Sequence, residues 1–237
     1  MKSILRALCL FACMFVVVGC ASSGGDFAHQ DFTFSGEKRT YAVYKPKDYN
    51  PTKSYPTILF LHGLFESGND GKANTGVGIG PAIAKHPDWY HCVVVFAQTS
   101  SSWRDDDQLP LAMATLDDAQ KHYAIDPNRV VVTGLSTGGH AVWKLGAEHP
   151  ERFAALAPLC AYSDYDDVGR LTHYPIWAFH NRYDMFVMSS STDDMCEKIN
   201  DAGGNARKTI YTAIGHDCWD RAYDDEKFAL WLQNQHR

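Results

Sequence analysis

The sequence predicts an α/β fold, with a mostly parallel central sheet and helices on both faces. Three observations lead there. Short apolar runs without polar alternation recur along the chain, as strands buried on both faces require. Segments with apolar residues three and four apart separate these runs. No linker-like stretch divides residues 30–237, so one domain is expected over 31–237.

Each element follows from its residues. Tyr41-Ala42-Val43-Tyr44 reads as an early strand that stops at Pro46. Thr57 to Leu61, bounded by Pro56 and Gly63, is a continuous apolar run, and Val93 to Phe96 is another. Leu109, Ala112, Leu116, Ala119 and Tyr123 keep helical spacing, and the segment ends before Asp126-Pro127. Val130 to Val132 reads as the next strand. Ala141, Val142, Leu145 and Gly146 then line one side of a helix that runs to His149-Pro150. Phe153 to Leu159 and Pro175 to Phe179 are strand-like. Met195, Ile199 and Ala202 mark a helix stopped by Gly203-Gly204. Lys208 to Tyr211 is the last strand, and Phe228, Trp231 and Leu232 mark a closing helix over Glu226 to Asn234.

Composition narrows the function classes. The chain has 237 residues, 45% hydrophobic and 21% charged, which is enough for one sizeable core. Its net charge of −6 and lack of a basic stripe argue against a nucleic-acid partner. Lys2 and Arg6 precede a mostly apolar run from Ala7 to Val18, too short to span a bilayer comfortably but suited to a signal peptide. The run ends Val17-Val18-Gly19-Cys20, which resembles the lipobox of bacterial lipoproteins. That resemblance implies a signal over 1–19, lipid attachment at Cys20, a tether over 20–30, and a membrane-anchored exported protein in the periplasm or on the outer membrane or cell surface. An ordinary cleaved secretory signal is the alternative. Cys92, Cys160, Cys196 and Cys218 lie beyond the leader, where export permits disulfides without choosing a pairing. No cysteine or histidine spacing suggests a metal, and Asp105-Asp106-Asp107 reads as a solvated loop rather than a calcium site.

The chemistry-bearing stretch is Gly134-Leu135-Ser136-Thr137-Gly138, a G-x-S-x-G with a strand before it and a helix after it. A nucleophilic serine on such a turn stands clear of the sheet, and side chains at 134 and 138 would crowd it. A serine hydroxyl needs a general base and an orienting carboxylate, in the chain order Ser, acid, His. Asp184 follows the strand that ends at Phe179, and His216 follows the last strand on a Gly-led loop. Asp164, Asp166 and Asp167 are rival acids. His62-Gly63 after a buried strand suits an oxyanion hole, with the amides of Leu64 and Thr137 as donors. Trp103 and Trp219 are candidate substrate-stacking residues at the catalytic edge, with packing as the competing role, and Trp143 reads as packing.

LFLHGLFESGNDG, DPNRVVVTGLSTGGHAVWKLGAEHPERFAALAPLC, PIWAFHNRYD and IGHDCWDRAYDD together resemble the α/β-hydrolase serine esterases. They are most similar to the exported "predicted peptidase" or phospholipase/carboxylesterase-like group, akin to acetylxylan esterases, feruloyl esterases and polyhydroxybutyrate depolymerases. The resemblance spans nearly all of 38–237. It implies an α/β-hydrolase fold without a large lid domain, Ser136 as nucleophile, Asp184 as acid, His216 as base, no cofactor, and an ester substrate that includes acylated polysaccharide. Three departures bear on substrate preference: Thr137 where a methionine is common, Asn181 for a glycine, and Cys218 for a serine. A serine peptidase, an acyl transferase or a non-catalytic surface-binding lipoprotein are the alternatives. Acyl specificity and oligomeric state are not readable from the sequence.

Overall fold

The structure is a computed structural model, and it describes residues 26–237. The expected signal peptide and Cys20 lie outside the described residues.

Strands with continuous apolar stretches form the middle of the sheet. These are β3 (Tyr55–Leu61), β4 (Val93–Ala97), β5 (Ile125–Leu135), β6 (Ala155–Leu159) and β7 (Pro175–Tyr183), with β8 (Asn205–Ile214) at the edge. β4 and β6 are buried throughout, because both faces of the sheet are covered. The other edge is a hairpin of β1 (Asp26–Phe34) and β2 (Glu37–Lys45). The strand order is β1-β2-β4-β3-β5-β6-β7-β8. β1–β2 and β2–β4 pair antiparallel, and every other pair is parallel.

Helices cover both faces, as expected. α2 (Leu109–His122), α3 (Thr137–Glu148), α4 (Val168–Leu171) and α5 (Ser190–Asp201) share one core with Leu59, Val95 and Val132. α1 (Ile79–Lys85), α6 (Cys218–Tyr223) and α7 (Glu226–Gln233) share the other with Ile58, Phe60 and Val131. The two sets of strand residues are adjacent in sequence and point to opposite faces, which is the period-two consequence of the pleat. No helix among the described residues is long and apolar enough to cross a membrane.

One boundary differs from expectation. The tether expected over 20–30 overlaps β1, which starts at Asp26. Phe27 packs on Tyr44 and Phe96 and Phe32 packs on Tyr41, so this half-exposed strand is held by one aromatic residue on each face of the sheet. Ser35 and Gly36 close the hairpin with φ of 50° and 80°. Those angles match a two-residue turn compatible with strand twist.

Candidate active site

The central strand β5 delivers Ser136 to the C-terminal edge of the sheet, and α3 starts one residue later. Ser136 sits at φ 54°, a strained region for a residue with a Cβ. The glycines explain how the turn closes. A Cβ at Gly138 would stand 2.2 Å from the Leu61 carbonyl oxygen, and one at Gly134 would stand 2.7 Å from Gly138 main chain. The crowding expected at 134 and 138 is therefore present, against the end of β3. The Ser136 N–H donates to Leu159 O at 2.9 Å, which ties the turn to β6.

Ser136, His216 and Asp184 come together from three separate segments. The Ser136 hydroxyl lies 2.8 Å from His216 Nε2, and His216 Nδ1 lies 2.5 Å from Asp184 Oδ2. An ionised carboxylate only accepts, so Nδ1 carries the proton and Nε2 is left to accept from the serine. Asp184 is buried and its other oxygen is saturated: Oδ1 accepts the N–H groups of Phe186 and Val187 at 2.8 and 3.0 Å. The His216 loop is held as well. Gly215, at φ 105°, donates its N–H to Tyr183 O, and Asn181 Nδ2 donates to Gly215 O.

His180 backs the acid. Its Nε2 lies 2.9 Å from Val187 O and 3.2 Å from Asp184 Oδ2, and its Nδ1 lies 2.8 Å from Thr192 Oγ1. Burial holds its pKa below the ordinary histidine value, against the opposing pull of Val187 O and Asp184. The His180 contact arises from the fold of the loop that carries Asp184, which bends back over the end of β7.

Two of the rival acids have another partner. Asp164 and Asp167 each lie 2.9 Å from Lys144 Nζ. Cys160, Asp184 and His216 bring potential ligand atoms within 4.8 Å of one another. The Cys160 sulfur is bonded to Cys218, however, and Asp184 and His216 are engaged with each other.

Ser136 and His216 open onto a cleft of about 380 Å³. Leu64 and Thr137 line it on either side of the serine, with Phe65, Leu135, Phe186, Val187 and Trp219 forming apolar walls. Thr137 is the first residue of α3, so its N–H has no acceptor within the helix. Its Oγ1 is buried without a hydrogen-bond partner. His62 is fully buried behind this wall: Thr99 N–H donates to its Nε2 at 3.2 Å, and its Nδ1 lies 2.6 Å from Gly63 O. Burial lowers the His62 pKa to about 4.

The two candidate tryptophans separate. Trp219 lines the cleft, edge-on to His216 at 5.3 Å between ring centroids. Trp103 does not line it. It is 1% exposed and packs in the core beside His62, because the turn closed by Asp105 N–H to Ser102 O folds the chain back under the sheet edge. The expectation that Trp103 contacts substrate is therefore corrected. Phe65 and Phe186, 95% and 84% exposed, are the aromatic residues at the mouth that sequence reasoning missed. Each lies in the loop after a strand, β3 for Phe65 and β7 for Phe186, but only the fold turns both toward Ser136.

Comparisons with known proteins bear on the fold and the family. No curated protein matches the chain. Among solved structures, a thermostable esterase superposes with a TM-score of 0.80 at 30% identity, over 90% of this chain and 64% of that one. This chain thus spans less than two thirds of that relative. The fluorophosphonate-binding serine hydrolase F of Staphylococcus aureus superposes with a TM-score of 0.72 at 14% identity, over 90% of this chain and all of that one. The feruloyl esterase module from Clostridium thermocellum, complexed with sinapinate, superposes with a TM-score of 0.68 at 16% identity, over 90% of each chain. These last two show a shared fold. The family model described as "Putative esterase" matches residues 33–236, and the chain accordingly belongs to this esterase family, on an α/β-hydrolase fold.

Proposed function

We propose that the protein is a serine carboxylesterase that cleaves small acyl esters on plant or microbial polysaccharide, of the acetyl or feruloyl type. The observation that carries the reading is the hydrogen-bonded line Ser136–His216–Asp184 opening onto an apolar cleft. Ser136 Oγ attacks the ester carbonyl carbon while His216 Nε2 takes the hydroxyl proton. Asp184 fixes the tautomer and stabilises the imidazolium. The amides of Leu64 and Thr137 receive the oxyanion, each worth about 3 kcal/mol in holes of this kind. As the carbon–oxygen bond breaks, His216 returns the proton to the leaving alcohol. Water, deprotonated by His216, then attacks the acyl-enzyme, and the acid and free Ser136 are released. Trp219 flanks the bound acyl group. The sinapinate held by the feruloyl esterase module is consistent with an aromatic acyl substrate.

The lipobox-like residues up to Cys20 support an exported, lipid-anchored enzyme acting outside the cytoplasm. Replacing Cys20 with Ala is expected to move the protein from the membrane fraction to the soluble one.

The deciding experiment is hydrolysis of p-nitrophenyl acetate through octanoate by the mature protein and Ser136→Ala, with a fluorophosphonate probe in parallel. Wild type should turn over and be labelled at Ser136. The variant should keep its melting temperature, lose labelling, and fall about 10⁶-fold in kcat. Turnover retained by Ser136→Ala would place the nucleophile elsewhere.

A further inference from the structure

Resting on the esterase reading, we infer that Glu66 is a charge selector in the cleft: it favours esters that are uncharged or cationic beside Ser136 and turns away those carrying a carboxylate there. Glu66 ends the short 3-10 turn Leu64–Glu66, and its side chain lines the cleft with Ser136 and His216. Its Oε2 stands 3.0 Å from the point a Cβ on Gly63 would occupy, and Ser136 Cβ stands 3.7 Å from the same point. The carboxylate therefore flanks the space in front of the serine.

The turn that carries Glu66 is held in place. Buried Gln98 donates from Nε2 to Glu66 O at 3.0 Å and accepts the Gly71 N–H at 2.7 Å. Ser67 Oγ lies within hydrogen-bond distance of Leu64 O and Ser101 O and donates its single proton to one of them, and Gly68 N–H donates to Thr99 O at 2.8 Å. The backbone that carries the carboxylate is therefore fixed at the edge of the cleft. The other charge-bearing side chains lining the cleft are His216 and Asp217, and no lysine or arginine among the described residues lines it. Partial burial raises the Glu66 pKa, only partly opposed by the Glu66 and Gly63 amides. The walls around it are largely apolar, so a bound anion would face the carboxylate with no lysine or arginine among the described residues to offset it.

The test compares kcat/KM for esters of matched length: ethyl heptanoate, monoethyl adipate and ethyl 6-aminohexanoate, with a second series carrying the charge on the alcohol. A like charge in a half-buried cleft of this kind corresponds to about a tenfold penalty. Wild type should therefore disfavour the anionic ester by about tenfold in at least one series. Glu66→Gln should narrow that ratio to about threefold or less, and Glu66→Lys should invert it. Glu37→Gln, a surface control, should leave it as in wild type. Triad-dependent hydrolysis with the same ratio in wild type, Glu66→Gln and Glu66→Lys overturns the assignment and leaves the esterase reading standing. Hydrolysis that survives Ser136→Ala counts against the esterase mechanism instead.

Discussion

At the scale of single residues, the site depends on side chains whose protonation the fold decides. Asp184 presents one oxygen to two amides and the other to His216 and His180. Asp184→Asn would leave the shape but favour the wrong imidazole tautomer, so kcat should fall by about 10³ to 10⁴ with KM little changed, in steady-state ester hydrolysis. His62 sets an acid limit on stability. It is fully buried and accepts the Thr99 N–H, which protonation would forbid. Its folded pKa of about 4 lies below the unfolded value near 6.5, so the unfolded state binds the extra proton between them. The stabilisation is complete above pH 6.5 and is lost as pH falls toward 4, a total of about 3 kcal/mol. Urea unfolding from pH 7 to 4 should show that slope, and His62→Gln should flatten it. Ser136, Asp184 and His216 were legible in the sequence because each follows a strand. The support from His180 was not, since it depends on the fold of the Asp184 loop rather than on spacing alone.

At the scale of elements, the turn between β5 and α3 is the feature that positions everything else. α3 can approach the end of β3 only because Gly138 presents no side chain to Leu61 O and His62 O. Main-chain oxygens cannot step aside as a flexible side chain could. Gly138→Ala should lower stability by about 3 kcal/mol or more, or prevent soluble expression, measured by denaturant unfolding. The continuous apolar strands were readable because burial on both faces leaves no alternation to misjudge. β1 was not, since Asp26–Phe34 mixes charged, polar and aromatic residues on a half-exposed edge. The Ser35-Gly36 pair was the signal for its hairpin. α1 and α6 are single short helices of seven and six residues, too brief for a period of 3.6 to stand out.

At the scale of the whole molecule, segments distant in sequence are fastened around one sheet edge. The Cys160–Cys218 disulfide joins the end of β6 to the residue two after His216, across a separation of 58 residues. Cys160 N–H also donates to Phe179 O in β7, the strand that leads to Asp184. Closing a loop of that length corresponds to about 4 kcal/mol of denatured-state entropy. The Cys160→Ser/Cys218→Ser pair should therefore unfold at lower urea, with a loss in the range of about 2–4 kcal/mol. Cys92 and Cys196 are buried free thiols, and burial pushes the Cys196 pKa up to about 12. Both should resist a thiol reagent in the native protein and react once it unfolds.

The sequence by itself determined the layered α/β architecture, the glycine-bounded turn at Ser136 and the candidate order Ser136, Asp184, His216. These rest on local pattern: uninterrupted apolar runs, helical spacing, and glycines where a turn admits no side chain. Only the tertiary structure decided which cysteines pair, that Trp103 is core while Trp219 faces the cleft, and that Phe65, Glu66 and Phe186 surround the serine. Those outcomes depend on how loops from β3, β7 and β8 converge at one edge of the sheet. Convergence of that kind is a property of packing in three dimensions, and no window of neighbouring residues encodes it.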